Sequence, residues 1–152
     1  MPKVEVTDEA VIDAPPMEVY KAVLDMYAGN AKWSPPSTIY KLRGDNTTVS
    51  EGSIVDVTIH GGRGVNFKVC GKFTKIEEAK LIEEEVSGAF IGTGTWTFEP
   101  TTEGKTKVQY RFNARTNKLL FSVLSPFVNI GKKHSDMMKQ GFKACNSYLC
   151  KK

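Results

Sequence analysis

Through the first two thirds of this 152-residue chain, apolar and polar positions mostly alternate with a period of two; the last third switches to a helical period. Lys3 to Asp13 puts Val4, Val6, Ala10 and Ile12 on one side, interrupted by Asp8. Ala14-Pro15-Pro16 then reads as a helix start, because proline is favoured in a first turn, where its missing N–H costs nothing. Val19, Val23 and Met26 with Tyr27 follow at helical spacing, which predicts a short amphipathic helix from Pro15 to about Met26. "AGNAKWSPP" is irregular, and Pro35-Pro36 ends any helix there. Five strand-like runs come next, joined by short turns: Ser53–His60, Val65–Ile76, Leu81–Ser87, Phe90–Pro100 and Lys105–Arg115. Their inward residues are Val55, Val57 and Ile59, then Val65, Phe67, Val69 and Phe73, then Ile82 and Val86, and finally Val108, Tyr110, Phe112 and Ala114. Short turns between successive strands predict an antiparallel meander. A single stripe then runs through Leu120, Val123, Leu124, Phe127, Gly131, His134, Met138, Gly141/Phe142, Cys145 and Leu149, predicting a long terminal helix. Pro126 either starts that helix, with Ser125 as its N-cap, or kinks a longer one beginning near Asn117.

The run Phe90–Pro100 carries an anomaly. Phe90, Gly92, Gly94, Trp96 and Phe98 share its apolar face, and Ile91, Thr93, Thr95, Thr97 and Glu99 share the other. Two glycines on an inner face leave gaps where a core wants volume. They suit a strand that bends sharply, or one whose backbone is approached closely by the helix or by a ligand. A twisted sheet with one apolar face needs a cover, and the terminal helix supplies it.

Composition narrows the class only a little. A chain of this length buries about 70% of its unfolded surface and can hold a core without staples, so we expect one domain over residues 1–152. Three cysteines without framework spacing suit a reducing compartment, and no N-terminal leader pattern precedes the first strand, so the reading is a cytoplasmic protein. Charge is unevenly placed. From Lys118 onward seven lysines and one acid give +6, whereas the other 14 basic and 16 acidic residues give −2. A solvated helix face explains this most simply; peripheral contact with an anionic membrane through Lys132, Lys133, Lys139 and Lys143 is the sharper alternative. The lysines lack the interleaved arginines and stacking aromatics of single-strand binders, which argues against nucleic acid. No transmembrane segment is expected.

Four stretches together resemble a known family: "VTDEAVIDAPPMEVYKAVLD", the later Trp33, "GTGTWTFEPTTEGKTKVQYRF" and "MKQGFKACNSYL". They resemble the polyketide cyclase/dehydrase and lipid-transfer superfamily, the START-like or Bet v 1-like (SRPBCC) helix-grip fold. The strand–Asp-Ala-Pro–helix entry and the "W-x-F-E-P … G-x-T-x-V-x-Y" hairpin are specific for fold and nearly silent on activity. The resemblance implies an α+β helix-grip fold. About seven antiparallel strands would curve around a long C-terminal helix, with short helices after the first strand. It also implies a cavity for an apolar molecule, and leaves open whether the protein carries a ligand or acts as a cyclase or aromatase.

Such a site would be walled by apolar side chains with a few polar groups placed among them. The inward positions supply the candidates: Val57, Phe67, Val69, Phe90, Trp96, Phe98, Tyr110, Phe112, Leu124, Phe127, Met138 and Phe142. Each could equally be plain core. His134, on the helix stripe, and Tyr110 are the candidate acid–base or orienting groups, though a lone histidine there is more often a hydrogen-bonded core residue. Glu84 also falls inward by alternation, where a bare carboxylate would be costly, so a register shift or bulge that exposes it is expected. His60 and Arg63 flank "HGGRG", a hairpin turn that could form a mouth or hold an anion. Two histidines and three scattered cysteines offer no metal spacing, and no phosphate loop or nucleophile motif appears, so no cofactor is expected. The leading expectation is a binder or carrier of a small hydrophobic molecule such as a lipid, polyketide or quinone. The alternatives are a polyketide cyclase/aromatase-type enzyme and an interaction module docking through the lysine-rich helix.

Overall fold

A computed structural model describes residues 3–31, 33, 37–60, 66–117 and 130–150. Seven strands form one antiparallel sheet: β1 (Lys3–Ile12), β2 (Thr38–Leu42), β3 (Ile54–His60), β4 (Asn66–Glu77), β5 (Leu81–Gly88), β6 (Phe90–Pro100) and β7 (Thr106–Thr116). Helix α1 (Pro16–Tyr27) lies between β1 and β2, and helix α2 (Ile130–Cys150) follows β7. The spatial order is β1-β7-β6-β5-β4-β3-β2. Six strands thus follow one another as a meander, and β1 closes on the last of them, pairing Asp8 with Tyr110 and Ile12 with Thr106. This is the helix-grip arrangement.

The predicted alternation survives closely. Along β7 every second residue from Thr106 to Thr116 is buried, and on β6 the outward Ile91 is 40% exposed while Trp96 and Phe98 are buried. The short strand β2 escaped the periodicity. Its five residues are an edge, with Ile39 outward and Tyr40 inward, too few for a pattern to register. One helix rather than several follows β1 among the described residues, and it begins with Pro16 at its first position as the proline pair requires. Ser125 and Pro126, where the terminal helix is predicted to start or to kink, lie outside the described residues.

Two polar ties fix the helices to the sheet. The Thr106 hydroxyl donates to the Ala14 carbonyl at 2.7 Å, fully buried, which pins the β1–α1 turn over β7. The Asp13 N–H donates to Asn146 Oδ1 at 2.8 Å, anchoring α2 to the same turn. Beyond this, α2 rests chiefly along β1, one edge of the sheet. The inner surface toward β2–β5 is therefore left to side chains and to the space between them. Met138, Phe142, Cys145 and Leu149 form the buried stripe of α2, and burial pushes the Cys145 thiol up to about 12, so it packs as a small apolar group. No helix among the described residues is long and apolar enough to cross a membrane.

Candidate functional site

A pocket of about 90 Å³ lies between the concave face of the sheet and the first turns of α2. Of the positions expected to wall a site, Val57, Val69, Phe90, Trp96, Tyr110, Phe112, Met138 and Phe142 do line it. Phe67 and Phe98 do not. Phe67 pairs with Ile59 near the open end of β4 and is only half-buried. Phe98 is buried in solid core, edge-on to Tyr20 of α1 and stacked beside Trp96. Leu124 and Phe127 lie outside the described residues, as does Arg63. His60 is exposed, and its Nδ1 sits 2.7 Å from Asn66 Oδ1, bridging the two strands of the β3–β4 hairpin.

Sequence reasoning missed part of the wall. Met26 and Tyr27 come from the end of α1, Trp33 from the following segment, Thr38 and Tyr40 from β2, and Met137 and Gly141 from α2. Tyr27 already stood on the helical stripe. Trp33 and Tyr40 carried no periodic signal.

The correction of most consequence concerns Glu84. It is only 5% exposed, on the pocket wall, rather than turned to solvent. The expected irregularity exists, but on the neighbouring strand: the β4–β5 register shifts between Phe73 and Lys75, leaving the alternation of β5 intact. Glu84 Oε1 accepts a hydrogen bond from the Tyr110 hydroxyl at 2.8 Å and a long one from the Tyr27 hydroxyl at 3.5 Å. Trp96 Nε1 in turn donates to the Tyr27 oxygen at 2.9 Å. Burial pushes the Glu84 carboxyl up to about 7, against the opposing pull of the two tyrosine hydroxyls. Burial and the nearby carboxylate push Tyr27 and Tyr110 well up, so both stay neutral donors.

The inner-face glycines now have a cause. Gly94 is the direct register partner of Glu84, and a Cβ there would fall 2.3 Å from the Tyr110 hydroxyl and 2.7 Å from Glu84 Oε1. Gly94 therefore clears the ground on which the hydrogen bond forms. Gly92 answers a different need, since a Cβ would lie 2.1 Å from the Asn113 carbonyl oxygen, so β7 itself closes on its backbone. Neither the helix nor a ligand makes that approach. On the other flank Gly71 of β4 lines the pocket, and a Cβ there would stand 3.1 Å from Glu84 Oε2.

His134 is also on the wall, stacked on Phe112 with ring centres 4.6 Å apart. Its Nδ1 lies 3.6 Å from Oδ2 of the buried Asp8, too far for a hydrogen bond, and neither atom has another partner among the described residues. Desolvation lowers its pKa, with Asp8 pulling the other way, so the ring is neutral near pH 7. Trp33 Nε1–H, in a residue 7% exposed, likewise lacks a partner among the described residues. Lys132, Lys133, Lys139 and Lys143 lie on the exposed side of α2, Lys132 paired with Asp136 at 3.1 Å. None of them lines the pocket.

Residues 3–146 match the family model described as polyketide cyclase/dehydrase and lipid transport. The chain belongs to this family. Solved structures agree on the fold at low sequence identity. Ara h 8.0201 superposes with a TM-score of 0.68 at 18% identity, covering 99% of this chain and 100% of that one. A point mutant of norcoclaurine synthase from Thalictrum, bound to a transition-state analogue, gives 0.60 at 16% identity over 97% of both chains. The di-domain ARO/CYC StfQ of the steffimycin biosynthetic pathway gives 0.73 at 14% identity, with 98% of this family member matched to 51% of StfQ. None of the curated proteins matches the sequence. The family and its fold mark a ligand-binding scaffold, and what is bound must be argued from the site.

Proposed function

We propose that the protein binds a small, largely apolar molecule in the pocket between the sheet and α2. The observation that carries this reading is the pocket wall. Eight aromatic and several aliphatic side chains converge there from six strands and both helices, with only a few polar groups among them. That composition is typical of small-molecule sites. A volume of about 90 Å³ suits a small group or the head of a longer molecule whose remainder extends to the mouth. Glu84 Oε2 and Trp33 Nε1–H supply an acceptor and a donor to orient it. The membership of a family described by lipid transport and polyketide chemistry supports the same class of ligand.

Native mass spectrometry of freshly purified protein tests the reading. The expected result is a discrete adduct of small-molecule mass that organic extraction removes, and a thermal shift when the stripped protein is given apolar molecules. A protein with neither, against fatty acids, sterols, quinones and polyphenols alike, has a filled core and no binding site.

A second reading is supported by one observation. A carboxyl with pKa of about 7, hydrogen-bonded to Tyr110 inside a pocket, is suited to moving a proton on a bound carbonyl compound, as a cyclase or aromatase requires. In this version Glu84 displaces His134 as the acid–base candidate, with Tyr110 orienting it. Turnover of a polyketone by the wild type, lost in Glu84→Gln while binding persists, would establish catalysis. Binding without turnover leaves the carrier.

A further inference from the structure

Glu84 is buried without a countercharge among the described residues. Among the described residues no lysine or arginine lines the pocket, and His134, the one basic side chain among them on the wall, is kept neutral by burial. Both donors to the carboxyl among the described residues, Tyr110 and Tyr27, go to Oε1. Oε2 has no partner among the described residues, and it sits beside Gly71, where the missing side chain leaves the pocket open to it. Tyr27, Tyr40, Trp96 and Tyr110 line the same pocket, packed against one another, and aromatic ring faces carry the negative quadrupole that attracts cations. A desolvated carboxyl, a free lone pair and a set of electron-rich rings are complementary to one kind of chemistry.

We propose that the pocket takes a lipophilic amine, whose ammonium group donates to Glu84 Oε2 among these aromatic rings while its apolar part fills the space under α2. This rests on the binding function proposed above and names its ligand class. The energetic argument is one of preorganisation. Burying an ion pair costs the desolvation of both ions, but here the carboxyl loses its water when the protein folds. What is left to desolvate on binding is chiefly the ammonium, since Glu84 is only 5% exposed, and the ammonium gains a charge-assisted hydrogen bond together with the ring faces. A ligand hydroxyl at the same place makes a weaker bond, and a ligand carboxylate meets a like charge.

The test is calorimetric titration of the intact, ligand-stripped protein with octylamine, octanol and octanoate, which share one tail. At about pH 8 octylamine is expected to bind about tenfold tighter than octanol, with octanoate weakest. The groups facing Glu84 are Tyr27 of α1, Tyr40 of β2, Trp96 of β6 and Tyr110 of β7, with His134 of α2 and Asp8 of β1 beyond them. The tyrosines do not titrate in this range. With the Glu84 carboxyl titrating at about 7, octylamine affinity should fall by roughly tenfold per pH unit below that value, while octanol changes little. Glu84→Gln, which keeps the shape, should equalise octylamine and octanol. Gly71→Ala, which keeps the carboxyl but sets a methyl 3.1 Å from Oε2, should weaken octylamine more than octanol. The wild-type series stands even if a variant fails to fold. Octanol binding as tightly as octylamine, or an amine preference that survives in Glu84→Gln, overturns the amine assignment while leaving apolar binding intact. No binding of any of the three probes overturns both.

Discussion

On folding, Glu84 exchanges water for two tyrosine hydroxyls, one of them distant, and the exchange favours its neutral form. The sign of the resulting pH dependence follows. Its carboxyl titrates near 4.5 when the chain is unfolded and at about 7 in the folded protein. The folded state therefore holds the proton more tightly, and the contribution is fully present below about pH 4.5 and lost as pH rises through 7. A displacement of this size corresponds to about 3 kcal/mol. Glu84→Gln should accordingly be more stable than wild type at about pH 8, by something of that order, with the advantage shrinking toward pH 5. Urea unfolding of both proteins at the two pH values measures it; a variant less stable than wild type at the higher pH would show that the tyrosine hydrogen bonds outweigh the buried charge. Alternation alone had placed Glu84 inward. What the sequence could not show is that two glycines on adjacent strands, Gly94 opposite it and Gly71 diagonal to it, make the room that allows a carboxyl to stay there.

At the scale of elements, the same two kinds of glycine distinguish space made for a side chain from space made for a strand. A methyl at Gly94 meets the Tyr110 hydroxyl and the Glu84 carboxyl, both ends of side chains that can shift at the expense of their hydrogen bond. A methyl at Gly92 meets the carbonyl of Asn113 and the Cα of Ala114, which belong to the backbone of β7 and cannot move without opening the β6–β7 ladder. Gly94→Ala should cost about 1–3 kcal/mol, as overpacking does, and Gly92→Ala clearly more. Thermal unfolding of the pair decides the order; equal losses would mean that β7 yields as readily as a side chain. Strands β1 and β3–β7 and both helices were legible because each is long enough, and wet enough on one face, for its period to show. The edge strand β2 and the irregular segment bearing Trp33 lack that contrast, so the tyrosine and tryptophan they bring to the pocket had no signal beyond their chemistry.

For the whole molecule, the decisive fact is where α2 rests. By leaning on β1, tied through Asn146 and the β1–α1 turn, the helix covers one edge of the sheet and leaves the β2–β5 half roofed by side chains. The pocket is thus a consequence of how the fold closes rather than a defect within it, and the family resemblance legible in the strand entry and the β6–β7 hairpin already implied such a space. Empty apolar space has a stability cost, because its lining forfeits packing contacts. Filling it should therefore stabilise the free protein and remove its ligand response together. Val69 is suited to the substitution, since it lies on the pocket wall opposite Val57 in the register and is half-buried. Val69→Phe should raise the unfolding free energy of the ligand-free protein by about 1 kcal/mol, as cavity filling commonly does. The wild type should gain stability with added ligand in proportion to the logarithm of its concentration above Kd, whereas the filled variant should gain none. Differential scanning fluorimetry with octanol at several concentrations reads both effects in one experiment. A filled variant that is more stable yet still responds would place the binding site elsewhere on the molecule. One that is less stable and unresponsive would mean that the pocket wall is already packed as tightly as a core.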